Sequence, residues 1–328
     1  MMDVCNRDYS LDIIRIVACA MIVLMHSPHP ASNAGNGLLL VLISYLTAPG
    51  IGLFFMVSGA LSLGNMRSFD TCAFLRKRMV RILVPLVFWS AVGYGLEFSG
   101  IKNHENGVLW FMYCISGLYL LTPVLKRWMD AAGVREIEFY LLIWACTLCV
   151  PIVQLFMHVD EGDTSWLYYF HVYVGYYVLG GYMNKFYGRT GSLLYRHKSW
   201  LLVSLFIISF AFPIAMRLMH VETDFYRLFW YLSISVALMC VVCWIGLKRL
   251  CDYWGKMPEW IASVSGLTFG IYLVHILVMR NVLWQMDWMV GLPGYIQIAV
   301  CAILTFGFSW LVSYVLSKVR YVRMIIGL

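Results

Sequence analysis

Asp12, Arg15 and His26 lie in one apolar stretch, Ser10 to Ser27, where an ionisable side chain is expensive and needs a partner, water or a task. On a helix turning 100° per residue, Arg15 and His26 point within about 20° of each other and Asp12 lies roughly 60° from Arg15, so the three share a stripe. The rise from Arg15 to His26 is about 16 Å. The two cannot touch each other, but one long thin ligand can touch both. A second cationic group, Arg76, Lys77, Arg78 and Arg81, stands just before another apolar run and has the chemistry to clamp a phosphorylated ligand. Each group also has a plainer reading. Arg15 can snorkel to headgroups beside Asp12, with His26 ending the helix at the interface, and the basic group can be a membrane anchor.

The elements that hold these residues follow from composition. Of 328 residues, 62% are hydrophobic and 12% charged, and mean hydropathy is +0.77. An ordinary soluble domain carries roughly twice that charged fraction, so lipid must cover much of this surface. Apolar runs long enough to cross a bilayer fall near 10–27, 38–64, 80–98, 108–125, 137–157, 166–184, 199–217, 228–247, 260–286 and 294–316. They are continuously apolar and about twice the length of a barrel strand, which excludes a β-barrel. The expected fold is all-α: a polytopic membrane protein of about ten transmembrane helices, with 1–328 as a single membrane-embedded domain.

An even number of spans puts both termini on one side. Most of the 24 Lys and Arg residues fall at the N-terminus, in the even-numbered loops and in the C-terminal tail, whereas Lys102, Arg217, Arg227 and Arg280 lie on the other face. That bias puts both termini in the cytoplasm. The opposite face is acidic, with Glu105, Asp160, Glu161, Asp163, Glu222 and Asp224. The net charge of +7 therefore reflects topology and anionic headgroups and gives no reason to propose nucleic acid as a partner. Asp3, Asp8, Asp12 and Arg15 argue against a cleaved secretory signal and for a mature first helix.

The ten cysteines avoid the outward loops, so no disulfide framework is indicated. Cys146/Cys149 and Cys240/Cys243 form two C-x-x-C pairs, but each sits in an apolar helix without hydrophilic ligands nearby; they read as packing residues, and no metal is expected. Small residues serve equally inside a monomer and at a dimer interface, which leaves the oligomeric state open.

These features resemble the acyltransferase-3 family of integral membrane acyltransferases, which modify bacterial surface glycans. Arg15 and His26 match the family's first-span signature of Arg or Lys, ten residues, then His, with Asp12 three positions before the Arg in LDIIR. FFMVSGALSL resembles the end of its second span, RKRMVRILVP its basic entry to the third, LWFMYCISGLYLLTP its fourth, and SGLTFGIYLVH, ending at His275, its late G-I-Y-x-x-H. The architecture is similar to the short single-domain type that acetylates enterobacterial common antigen. Many relatives have His just before the Leu-Trp of the fourth span; here Val108 stands there, and His104 lies in the preceding loop.

The resemblance implies transfer of an acyl group, acetyl first among the candidates, from cytoplasmic acyl-CoA to a hydroxyl of a cell-surface glycan or its lipid-linked precursor in the bacterial cytoplasmic membrane. The diphosphate of CoA would stay at Arg76, Arg78 and Arg81. Its pantetheine arm, roughly as long as the rise along the first helix, would pass Arg15 and bring the thioester toward His26. Ser58 would touch the donor or simply pack. His26 would act as general base on the sugar hydroxyl, or be transiently acylated itself. Trp110, Glu97 and His275 are the acceptor-side candidates, against belt and helix-packing roles. The rival class is a transporter or exporter of a polysaccharide or lipid-linked glycan, which often shows paired broken helices in two halves. Here the intramembrane charge concentrates in the first helix, and spans six to ten show no matching motif.

Overall fold

The computed structural model describes residues 8–28, 37–64, 69–98, 109–150, 152–153, 173–186, 199–219, 231–255 and 257–328. Among these residues there are helices and no strands. The helices are α1 (Tyr9–His26), α2 (Gly37–Thr47), α3 (Pro49–Leu63), α4 (Thr71–Phe98), α5 (Trp110–Ala131), α6 (Val134–Thr147) and α7 (Val174–Phe186). They continue as α8 (Ser199–Leu218), α9 (Ile234–Trp254), α10 (Trp260–Asn281), α11 (Asp287–Val290) and α12 (Gly294–Lys318), with 3-10 turns at Leu283–Gln285 and Val322–Ile326.

Among the described residues six stretches are long and apolar enough to cross a membrane: Tyr9–His26, Leu39–Leu63, Trp200–Leu218, Ile234–Trp254, Trp260–Gln285 and Gly294–Lys318. They coincide with the expected spans at 10–27, 38–64, 199–217, 228–247, 260–286 and 294–316. α4, α5, α6 and α7 fall on the other four expected spans, and parts of 108–125, 137–157 and 166–184 lie outside the described residues. Over the described residues α6 and α7 have 14 and 13 residues, short of the roughly 20 that a crossing needs. His104 and Val108 lie outside the described residues.

The chain divides into two compact units. The first comprises Met1–Met21, Val41–Met66 and Val124–Met257; the second comprises Ile22–Leu40, Arg67–Pro123 and Pro258–Leu328.

In the first unit α3 is the central element. It is apolar all round, opens with Pro49 in its first turn, and buries nearly every residue. Against it lies α7. A Cβ added at Gly59 would run into the carbonyl of Tyr177, and one added at Gly180 would run into the carbonyl of Met56. The two helices therefore touch backbone to backbone, a contact that glycine alone permits. At the start of α3, α9 is tied by the Cys240 thiol, which donates to the Pro49 carbonyl at 3.4 Å. One member of the second C-x-x-C pair is thus a helix-packing donor. The buried ammonium of Lys126 is satisfied by Asp130 one turn on, which Lys185 also reaches at 3.3 Å. All described cysteines are free, and the described residues hold no His, Cys, Asp and Glu cluster able to bind a metal.

In the second unit α10 packs on α12. The buried side of α12 carries Gln297, Cys301, Thr305, Ser309 and Ser313, each four residues after the last. This narrow, small-residue seam lets Gly270 approach so closely that a Cβ there would lie 2.7 Å from Ser313 Oγ. The turn Val322–Ile326 docks on α4, where Trp89 Nε1 donates to the Ile325 carbonyl at 2.9 Å. Gly327 then reverses the chain at φ 73, with the Phe269 ring filling the space a side chain would need.

The backbone contact of α3 and α7 makes a clear stability prediction. Gly180→Val should destabilise the folded protein by more than about 3 kcal/mol, because one helix must back away along its whole length. Gly117, with open space around it, should accept Ala with a change within about 1 kcal/mol. Thermal unfolding of purified protein in detergent measures both.

Candidate functional site

The carboxylate of Asp8 starts α1 by accepting from Ser10 N at 3.0 Å, and it is held by Lys248 at 3.4 Å. From there α1 runs unbroken to His26. It stops because Ser27 turns its hydroxyl back onto the Val23 carbonyl, at 2.7 Å, competing with continuation of the helix. Asp12 is buried, Arg15 is half-buried, and His26 is half-buried at the last helical position.

In the second unit His26 has an imidazole for a neighbour. The His275 ring, on α10, lies 5.3 Å from it between centres, tilted by 45°. His275 has no solvent-exposed surface. Its Nδ1 lies 2.5 Å from the Tyr272 carbonyl oxygen. A carbonyl can only accept, so Nδ1 carries the proton and Nε2 keeps its lone pair. That Nε2 is buried and has no hydrogen-bond partner among the described residues.

Aromatic rings extend from this pair. Tyr272 lies 5.7 Å from His275 and 5.4 Å from Phe111, and Phe111 lies 6.4 Å edge-on to Trp110 at the start of α5. His26, His275 and Trp110, far apart in the chain, are thus joined through two intervening rings. Further along α10, the Arg280 guanidinium sits 5.6 Å over the Trp284 ring. Sequence reasoning counted Arg280 only among outer-face charges. The available signal was its place five residues after His275 at the end of an apolar run.

The basic group on α4 is not uniform. Asp70 caps the helix by accepting from Cys72 N at 2.9 Å and Ala73 N at 3.2 Å. Arg76, Lys77 and Arg81 are exposed and available to an anion. Arg78 is half-buried, with its guanidinium 5.7 Å from the Phe74 ring centre and 5.3 Å from that of Tyr119. Part of its positive charge is therefore engaged in holding α4 to α5.

Ser58 is half-buried on α3, one residue before the glycine that receives α7. Glu97 lies in α4, with its side chain outside the description. Of the site residues expected from sequence, Asp12, Arg15 and Ser58 belong to the first unit; His26, His275, Trp110, Arg76, Arg78, Arg81 and Glu97 belong to the second.

The family model for the acyltransferase-3 group, described as an acyltransferase domain, matches residues 8–314. The match opens at the residue that caps α1 and closes inside α12. Nodulation protein NolL of Sinorhizobium fredii is 24% identical over 149 residues, covering 39% of this chain and 41% of that protein. The chain thus aligns with less than half the length of this relative. No solved structure matches the chain. A family match from the cap of α1 to the last long helix, on a chain whose described residues hold six stretches able to cross a bilayer, places this multi-pass membrane protein in the acyltransferase-3 family.

Proposed function

We propose that the protein transfers an acyl group, acetyl first among the candidates, from cytoplasmic acyl-CoA to a hydroxyl of a cell-surface glycan or its lipid-linked precursor. It does so in the bacterial cytoplasmic membrane, through about ten spans with both termini inside. The donor enters at α4, where Arg76 and Arg81 take its phosphates, and its arm lies along the α1 stripe past Arg15. Asp12 steadies Arg15, and Ser58 offers a donor contact. His26 removes the proton of the acceptor hydroxyl as its oxygen attacks the thioester carbonyl. The carbon–sulfur bond breaks, and His26 returns the proton to the departing thiolate, so the enzyme ends as it began. Trp110 and Glu97 lie on the acceptor side, where an aromatic face can stack on a sugar ring.

The observation that carries this reading is His26 itself: a half-buried imidazole closing an unbroken apolar helix, with a second imidazole beside it, in a chain of an acyltransferase family. A neutral imidazole is the usual proton acceptor for a hydroxyl. Export of a glycan, the rival reading of many spans, has no comparable observation in its favour.

Two measurements test the two halves of the reaction. Acetyl-CoA or succinyl-CoA at a hundred times its dissociation constant should stabilise the detergent-purified protein by about 2.7 kcal/mol. Arg76→Ala combined with Arg81→Ala should lose that shift while still folding, since both side chains are exposed. Separately, His26→Ala should keep the acyl-CoA shift and lose transfer of radiolabelled acetyl to a membrane glycan fraction by roughly 10²-fold to 10⁴-fold. Absence of any acyl-CoA shift in folded wild-type protein contradicts the donor assignment.

A further inference from the structure

We propose that His275 is a positioning residue for His26. With its proton fixed on Nδ1, it offers Nε2 to an N–H of His26 and so holds His26 in the tautomer whose other nitrogen takes the hydroxyl proton. The inference rests on the reading of His26 as general base, and it deepens that reading by naming the group that orients the base.

Four observations converge. His275 has no exposed surface, which favours a partner within the protein over contact with an acceptor. Its tautomer is set by the Tyr272 carbonyl 2.5 Å from Nδ1, so Nε2 can only accept. A buried lone pair without a donor is costly, and no described N–H or O–H reaches this one. His26 is a candidate donor beside it, at 5.3 Å between ring centres. Two imidazoles joined edge to edge by one N–H···N bond of about 3 Å have centres roughly 5 Å apart, so a small turn of the half-buried His26 ring completes the bond.

The setting keeps His275 from following that turn. Tyr272 lies over it at 5.7 Å and is itself flanked by Phe111 at 5.4 Å and Phe269 at 6.5 Å. The fixed ring therefore orients the mobile one. When His26 takes the hydroxyl proton, its bond to Nε2 becomes charge-assisted and strengthens at the moment positive charge develops. On return of that proton to the thiolate, both rings regain their starting tautomers. The arrangement serves the purpose that a buried carboxylate serves beside other catalytic histidines, with a neutral acceptor in its place.

Three variants test this: His275→Phe, which keeps a flat ring and removes the acceptor; His275→Gln, which keeps an acceptor near the place of Nε2; and His26→Ala. Transfer kinetics are read as kcat and as KM for donor and acceptor, beside thermal stability and the acyl-CoA stability shift. His275→Phe should lower kcat about a hundredfold with both KM values and the acyl-CoA shift unchanged, and His275→Gln should restore part of the loss.

Wild-type kcat in His275→Phe, or a rise confined to acceptor KM, overturns the pairing while leaving His26 as base. Full transfer by His26→Ala overturns the base assignment and the pairing with it. Should His275→Phe not fold, nitrogen NMR of ¹⁵N-histidine-labelled wild-type protein decides. A coupling between a protonated His26 nitrogen and His275 Nε2 supports the pairing, and an Nε2 that carries its own proton overturns it.

Discussion

A fully buried histidine must settle where its proton sits, and in the second unit this constraint organises the neighbourhood of His26. The carbonyl of Tyr272, one turn back on α10, takes the Nδ1 proton of His275, which leaves a lone pair directed away from the helix that carries it. Nothing in an apolar helix supplies a donor by default, and α1 ends nearby. Ser27, whose hydroxyl closes the last turn on Val23, leaves His26 at the helix terminus with its ring half-buried. The small residues on the buried side of α12 and the glycine at 270 allow α10 to be gripped tightly from behind, so the ring of His275 has little freedom.

The first unit answers to a different constraint. Contact between backbones fixes α3 on α7, with Gly59 and Gly180 each pressed on a carbonyl of the opposing helix. In a bilayer the apolar surfaces of two helices are as content with lipid as with each other, so close van der Waals contact becomes the main source of specificity. Ser58, next to Gly59, is carried on this rigid helix, and a donor contact proposed there would inherit that rigidity. Away from α3, Lys126 and Lys185 share Asp130.

Much of this was legible in the sequence. Continuous apolar runs gave α1, α8, α10 and α12 with boundaries close to those observed, because spans of that length announce themselves by composition, whereas α9 runs on to Trp254, past the expected end at 247. The Arg15–His26 spacing singled out the first helix. The meeting of His26 and His275 was not legible, since one sequence fixes the faces of single helices and carries no record of which distant faces meet. Arg78 looked like its neighbours Arg76 and Arg81; only the packing of Phe74 and Tyr119 around its guanidinium sets it apart. The polar seam of α12 was hidden in plain view. Gln297, Cys301, Thr305, Ser309 and Ser313 repeat every four residues, but small hydroxyls and thiols barely lower hydropathy, so a reading tuned to apolar length passes over them.

The central claim is that the thioester carbon of an acyl-CoA comes within reach of His26. Bromoacetyl-CoA, which alkylates a nucleophile at that position, tests it directly when the modified protein is digested and the adduct located by mass spectrometry. The account predicts a single adduct on His26 that excess CoA prevents, with any labelling of the exposed thiol of Cys72 indifferent to CoA. A CoA-protected adduct on another residue, with His26 untouched, would contradict it.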